Sequence, residues 1–278
     1  MRLPLEFQQE IPDQGTLLKL ALLRERGINT VCVSAHCPNL THCFKNGQAT
    51  FMILGDTCTR NCLFCAVDKN KKPLLPDNYE PKSLAGTARS LGLNYIVVTS
   101  VTRDDLPDAG ADHFVKTVNI LREILPGAKI ELLIPDFKSK EGALELVVDS
   151  MPDVLGHNME TVPALYGIVR PQADYEHSLS VLEKIKVLNQ KIFAKSSLML
   201  GMGEKEEEVI GVLRDLRNVN CDILTLGQYL SPSARHYPVK EFISREKFDF
   251  YRDLALELGF KAVLSGPLVR SSYQAEEI

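Results

Sequence analysis

The sequence predicts an α/β fold whose parallel sheet rolls into an incomplete (β/α)6-type barrel carrying N- and C-terminal extensions. Three observations point there. Short β-branched or apolar runs alternate with longer stretches of helical period, and the runs are rich in Val, Ile and Leu, as strands buried on both faces are. Polar residues collect just after each run. Alternation at this rhythm makes βα units, and βα units make a parallel sheet.

Residues 1–48 read as an N-terminal extension, because no strand–helix rhythm has begun there and cysteines dominate its second half. The core, 49–230, opens with the apolar run "ATFMILGD" (49–56) and continues through "LNYIVVTS" (93–100), "KIELLIPD" (129–136), "DVLGHNME" (153–160), "KIFAKSSLML" (191–200) and "DILTLGQYL" (222–230). Helices are expected between them near 81–91, 111–124, 138–150, 176–189 and 204–219. In the last of these, Val209, Val212, Leu213 and Leu216 fall on one helical face. Six units are too few for an eight-stranded barrel, so the barrel stays open. A further strand is possible at "KAVLSG" (261–266), inside the C-terminal extension 231–278. In barrels of this kind the loops after the strands build the active site. Cys58, "TSVTRDD", Asp136, "HNME", "GMGE" and "GQYLSPS" are therefore expected at one mouth.

The composition narrows the function. The 278 residues are 45% hydrophobic and 24% charged, enough for one large core or two modest domains. A net charge of −4 argues against nucleic acid or anionic membrane as partner. No apolar run is long enough to cross a bilayer, and "MRLPLEFQQEIPDQG" lacks a secretory or transit pattern. A cytoplasmic, reducing location is the expectation. Seven cysteines, six of them within Cys32–Cys65, then suggest metal ligation rather than disulfides.

Those six form two sets. Cys58, Cys62 and Cys65 have C-x3-C-x2-C spacing directly after the first strand. A loop of that length can wrap three thiolates around one face of a 4Fe-4S cluster, leaving one iron open. A structural zinc ion would want a fourth protein ligand. Cys32, Cys37 and Cys43, spaced C-x4-C-x5-C, make a second set. A second cluster is the economical reading, with a mixed Cys/His zinc site using His36 or His42 as its competitor. Cys221 opens a strand and reads as a small buried residue.

The C-x3-C-x2-C signature resembles that of the radical S-adenosylmethionine (SAM) superfamily, whose core is an incomplete TIM barrel. The stretches "CPNLTHCFKNGQATFMILGDTCTRNCLFC", "VVTSVTRDDLPDAGADHF", "HNMETVPALYGIVRP", "LTLGQYLSPSARHYPV" and "GPLVRSSYQA" resemble, in order along nearly the whole chain, the lipoyl synthase family within it. The resemblance implies an enzyme that inserts two sulfurs, at C6 and C8, into a protein-bound octanoyl-lysine. It implies two 4Fe-4S clusters. One, on Cys58, Cys62 and Cys65, binds SAM at its open iron and splits it to a 5′-deoxyadenosyl radical. The other, auxiliary cluster, on Cys32, Cys37, Cys43 and Ser272 of the R-S-S-Y motif, supplies the sulfur. A serine oxygen is a poorer partner for iron than thiolate, which suits a cluster that is dismantled.

The same resemblance gives Asn158 and Glu160 to the SAM ribose and makes polar contacts to SAM plausible for Lys195 and Ser196. Arg103, Asp104, Arg170 and Arg235 are candidates for the mouth, with a solvated surface as the alternative. The implied partners are octanoylated lipoyl carrier domains (glycine cleavage H protein or 2-oxoacid dehydrogenase E2), a flavodoxin or ferredoxin reductant, and an iron–sulfur carrier for cluster repair. Two other classes compete: a different two-cluster radical SAM enzyme, and a zinc-stabilised binding protein.

Overall fold

A computed structural model of the chain describes residues 10–70 and 72–277. In chain order the elements are α1 (Gln14–Glu25), β1 (Asn29–Thr30), α2 (Val31–Ser34), α3 (Leu40–Lys45), β2 (Thr50–Ile53), β3 (Thr57–Cys58), β4 (Asp68–Lys69) and α4 (Glu80–Ser90). Then come β5 (Tyr95–Ser100), α5 (Ala111–Ile124), β6 (Lys129–Leu133), α6 (Ala143–Asp149), β7 (Val154–Gly156), α7 (Pro163–Val169) and α8 (Tyr175–Leu188). The chain ends with β8 (Phe193–Leu200), α9 (Glu206–Asn218), β9 (Ile223–Gln228), α10 (Arg245–Glu257) and β10 (Ala262–Gly266). The first nine residues of the 1–48 extension, and with them most of the stretch read for a targeting signal, lie outside the described residues.

One eight-stranded sheet runs β1-β2-β5-β6-β7-β8-β9-β10. From β2 onward every neighbour is parallel, and β1 alone pairs antiparallel, Thr30 against Phe51. The two edge strands do not pair with each other, so the barrel is incomplete, as expected. The strand at 261–266 joins the sheet through β9. Both extensions thus contribute a strand to the core sheet. Among the described residues, no helix is long and apolar enough to cross a membrane.

Alternation along the strands separates the two faces of the sheet. Ile96, Val98, Ile130, Leu132, Leu198 and Leu224 pack in the main core with Phe114, Leu182 and Leu213 of the surrounding helices. The alternate positions, including Thr50, Tyr95, Val97, Glu131, Lys195 and Thr225, share the opposite, inner face through the strand registers. That face is partly polar, and its charges are paired. The Lys195 ammonium donates to both Glu131 carboxylate oxygens at 2.8 and 3.0 Å, and the Tyr95 hydroxyl donates to the same carboxylate at 2.7 Å.

After β10 the chain turns and passes back along the open side of the sheet. Gly227 on β9 makes this possible: a Cβ there would lie 2.0 Å from the Val269 carbonyl oxygen. The Asn39 amide donates to the Leu268 carbonyl at 2.5 Å, the Thr50 hydroxyl to Ser272 Oγ at 2.7 Å, and the Gln48 amide to the Glu276 carboxylate at 2.8 Å. The tail therefore joins the β9–β10 side of the gap to the β2 side.

One expected helix is shorter than its pattern. The stretch 138–150 becomes helical only from Ala143, because Phe137, Lys138 and Gly142 all take positive φ and break the turn. Gly227→Ala is expected to cost about 1–3 kcal/mol, since backbone must move to admit one methyl. It should also speed proteolysis of segment 267–277; a tail as resistant as the parent's in limited proteolysis would contradict the packing described.

Candidate active site

The loop that follows β2 carries Cys58, Cys62 and Cys65 and is pinned on several sides. Glu80, at the start of α4, accepts from the Leu54 and Gly55 amides and meets His113 Nε2 at 2.8 Å. Thr59 is held by the Thr102 carbonyl, through both its amide and its hydroxyl, at 3.0 Å each. Leu63, between Cys62 and Cys65, donates to the Val169 carbonyl and accepts from the Tyr237 amide, both at 2.9 Å. Lys69 Nζ donates to the Cys65 carbonyl.

Arg60 moors the loop to the strand ends. Its guanidinium donates to both oxygens of Asp104, after β5, at 2.8 and 2.9 Å, and to both of Asp136, after β6, at 2.7 and 2.6 Å. Arg60 and Asp136 are almost fully buried, with side chains 5% and 3% exposed. Burial alone would raise the Asp136 carboxyl, but the guanidinium overrides it and holds the group well below the usual carboxylate range.

The loop after β7 carries Asn158 and Glu160. The Asn158 amide donates to Glu160 Oε1 at 3.0 Å, and Glu160 takes a left-handed φ of +65° that a non-glycine residue rarely adopts. A parallel bridge to Leu198 holds it there. Burial pushes the Glu160 carboxyl up. Beneath the loop, buried Arg170 donates to the Asn158 and Met159 carbonyls at 3.0 and 2.9 Å and stacks on Tyr166. His157 is buried, shares Nδ1 with the Ile134 carbonyl at 2.9 Å, and has no partner for Nε2 among the described residues. Burial, reinforced by nearby Arg170, lowers its pKa to about 4.

The second set of thiols lies in the N-terminal extension. Cys32 is in α2, Cys43 in α3, and Cys37 in the turn between them, with its amide on the Cys32 carbonyl at 3.0 Å. The three stand close enough that Cys32 and Cys37 each push Cys43 further up. The residue that donates to Ser272, Thr50, lies on β2, against which the Cys32-bearing α2 packs, and its polar groups partly offset the rise that burial gives the Cys32 thiol. The structure thus gathers Cys32, Cys37, Cys43 and Ser272 in one neighbourhood.

All seven cysteines are free thiols. Burial raises Cys32 to about 11 and Cys43 and Cys65 to about 12. Polar groups pull the other way: the Arg60 amide donates to Cys58 Sγ at 3.4 Å, and the backbone at Asn39 and Val67 partly offsets the rise at Cys37 and Cys65. Amide donors around a desolvated sulfur prepare it for negative charge. A lone zinc ion at about 2.3 Å from each sulfur would draw its ligands into one tight group. Among the described residues, no three His, Cys, Asp or Glu side chains are grouped that way. Three thiols in each set are the kind of donor that iron takes in 4Fe-4S clusters.

Comparison with known proteins agrees with this chemistry. The Radical SAM superfamily model matches residues 52–216. Lipoyl synthase from Caldanaerobacter subterraneus subsp. tengcongensis is 54% identical over 257 residues, 92% of this chain and 89% of that protein. Lipoyl synthase from Aquifex aeolicus is 50% identical over 256 residues, 92% of each. The chain belongs to the lipoyl synthase family.

As a member of that family it is a radical SAM enzyme, and the superfamily implies SAM and a 4Fe-4S cluster. Solved structures show the same fold at low identity. Streptococcus suis SuiB bound to S-adenosylmethionine gives a TM-score of 0.61 at 11% identity, covering 77% of this chain and 48% of that one. Methylornithine synthase (PylB) gives 0.58 at 16%, covering 95% and 83%.

The remaining candidate residues of this lipoyl synthase family member are held largely by the protein itself. Lys195 is paired with Glu131 on the inner face, and Ser196 donates to the His157 carbonyl at 2.9 Å and accepts from the Met159 amide at 3.2 Å. Ser196 therefore shapes the loop bearing Asn158 and Glu160. Arg103 is fully buried on Asp105 and the Leu54 carbonyl, and Arg170 is buried as well, whereas Arg235 is exposed. Glu204 of "GMGE" accepts from the Gly201 and Met202 amides and caps a turn. Arg60 escaped notice in the sequence, although its place inside the C-x3-C-x2-C motif was a signal.

Arg60→Met should cost about 3–5 kcal/mol in urea denaturation, because it strands two carboxylates. His157 yields a pH signature. Its folded pKa lies below the ordinary 6.5, so the stability it contributes is full above about pH 6.5 and is lost as pH falls toward 4. The loss amounts to about 3 kcal/mol. His157→Gln should flatten that part of the denaturation-midpoint profile; an unchanged slope would contradict it.

Proposed function

We propose that this chain inserts two sulfur atoms, at C6 and C8, into an octanoyl group amide-linked to a lysine of a lipoyl carrier domain. The observation that carries the reading is 54% identity to a lipoyl synthase across 92% of the chain. When bound, SAM and a reduced 4Fe-4S cluster supply the 5′-deoxyadenosyl radical that takes hydrogen from an unactivated carbon.

The chain's own residues do the holding. Cys58, Cys62 and Cys65 would hold that cluster. Asn158 and Glu160 would hydrogen-bond the SAM ribose, the Glu160 carboxylate accepting from its hydroxyls, in a loop that Ser196 and Arg170 keep in place. Cys32, Cys37, Cys43 and Ser272 hold a second 4Fe-4S cluster, the source of the sulfur. The barrel wall keeps bulk water from the reacting carbon. Glycine cleavage H protein or a 2-oxoacid dehydrogenase E2 presents the octanoyl-lysine, flavodoxin or ferredoxin delivers electrons, and an iron–sulfur carrier restores the consumed cluster.

Anaerobic reconstitution with SAM, a reductant and an octanoyl-lysine peptide should give a peptide product carrying two added sulfurs, from a chain holding about eight irons. Zinc without iron, or an unmodified peptide, defeats the proposal. Cys62→Ala should stop SAM cleavage. Ser272→Ala should leave cleavage largely intact while abolishing sulfur insertion, as read by separate assays of deoxyadenosine and thiolated peptide.

A further inference from the structure

We infer that Thr50 positions Ser272, turning the serine oxygen toward the thiols of Cys32, Cys37 and Cys43. The inference deepens the reading of Ser272 as a cluster ligand and rests on it.

Thr50 is the first residue of β2 and is buried, facing inward in register with Val97. Valine has the same branched shape and would suit such a position without introducing a polar group. A buried hydroxyl is costly unless it is bonded, so a hydroxyl at this place needs a partner. Its side-chain partner is Ser272 Oγ at 2.7 Å, donated across 222 residues of sequence.

The tail is anchored on both sides of Ser272 by contacts that do not involve its side chain. Val269 lies on Gly227, Leu268 accepts from Asn39, the Tyr273 amide closes a turn on Arg270, and Glu276 meets Gln48. These contacts place the serine backbone. A serine side chain still has three staggered choices, and one hydroxyl hydrogen bond favours a single choice by roughly fivefold.

Thr50 is a rigid reference for that choice. Its strand is paired on one side to β5, Thr50 against Val97, and on the other to β1, Phe51 against Thr30. Cys32 follows Thr30 by two residues, and α2, which carries it, packs against β2. A single residue of β2 therefore stands on the element that supports the first thiol of the set and bonds the set's oxygen member. It acts through Ser272 and is a positioning residue.

The test uses the full chain with Cys58, Cys62 and Cys65 all changed to Ala, so that only the upstream set can take up a cluster from ferrous iron and sulfide under anaerobic conditions. Thr50→Val keeps the branched shape and removes the hydroxyl. It should weaken or broaden the Mössbauer component of the single oxygen-ligated iron and release iron to bipyridyl roughly fivefold faster. Thr50→Ser should restore both readouts. If Thr50→Val does not give soluble protein, Thr50→Ser against Thr50→Ala, which differ by the hydroxyl alone, asks the same question. Adding Ser272→Cys should erase the effect of Thr50→Val, because a thiolate binds iron without that guidance. A parent-like spectrum and release rate in Thr50→Val, or an effect that persists undiminished beside Ser272→Cys, overturns the inference. Should Ser272→Ala alone leave both readouts at parent values, the ligand assignment fails instead.

Discussion

The eight-stranded sheet stops short of closure, with β1 at one edge and β10 at the other, and unpaired strand edges in an apolar setting need cover. Here the cover comes from both ends of the chain. The N-terminal extension lays β1 against β2, and the tail after β10 returns along the opening to Asn39, Gln48 and Thr50. The cover is what brings the two extensions together. Three cysteines from one extension and a serine from the other meet only because the same gap draws both segments to it. A closed barrel of eight βα units would leave no place for this meeting.

Charge is handled by a second rule, that a buried ion must find its opposite. On the inner face Lys195 is matched by Glu131, and at the mouth Arg60 is matched by Asp104 and Asp136. The mouth pairing also has a mechanical result. Beside the apolar packing of Leu54, Phe64 and Val67, one guanidinium fastens the cysteine loop to the ends of β5 and β6. The thiols are the exception to the rule. Burial raises most of them, while Arg270 beside Cys37, and Arg170 and Arg60 beside Cys62, pull back toward the charged form.

Much of the fold could be read directly from the chain. The six core runs coincide with β2 and β5 to β9, because parallel strands buried on both faces leave an apolar signature of their own. Helices α4, α5, α8 and α9 match their expected spans within a residue or two. The short α2, α3 and α7 carry too few turns for a period to register. The cysteine sets were legible since their members are neighbours in sequence. The role of Arg60 was not: its carboxylates lie 44 and 76 residues away, and its place inside the motif does not name them. The pairing of Lys195 was equally hidden, because Glu131 stands 64 residues earlier in the chain.

By itself, then, the sequence determined the rhythm of the elements, the openness of the barrel, the two triads and the family, all properties written in short-range patterns or in long motifs kept in order. Tertiary structure decided which charged groups are spent on one another, which side chains shape a loop from beneath, and where the tail lies. Those outcomes depend on distances between residues far apart in the chain. Only the closing of space around the sheet sets them.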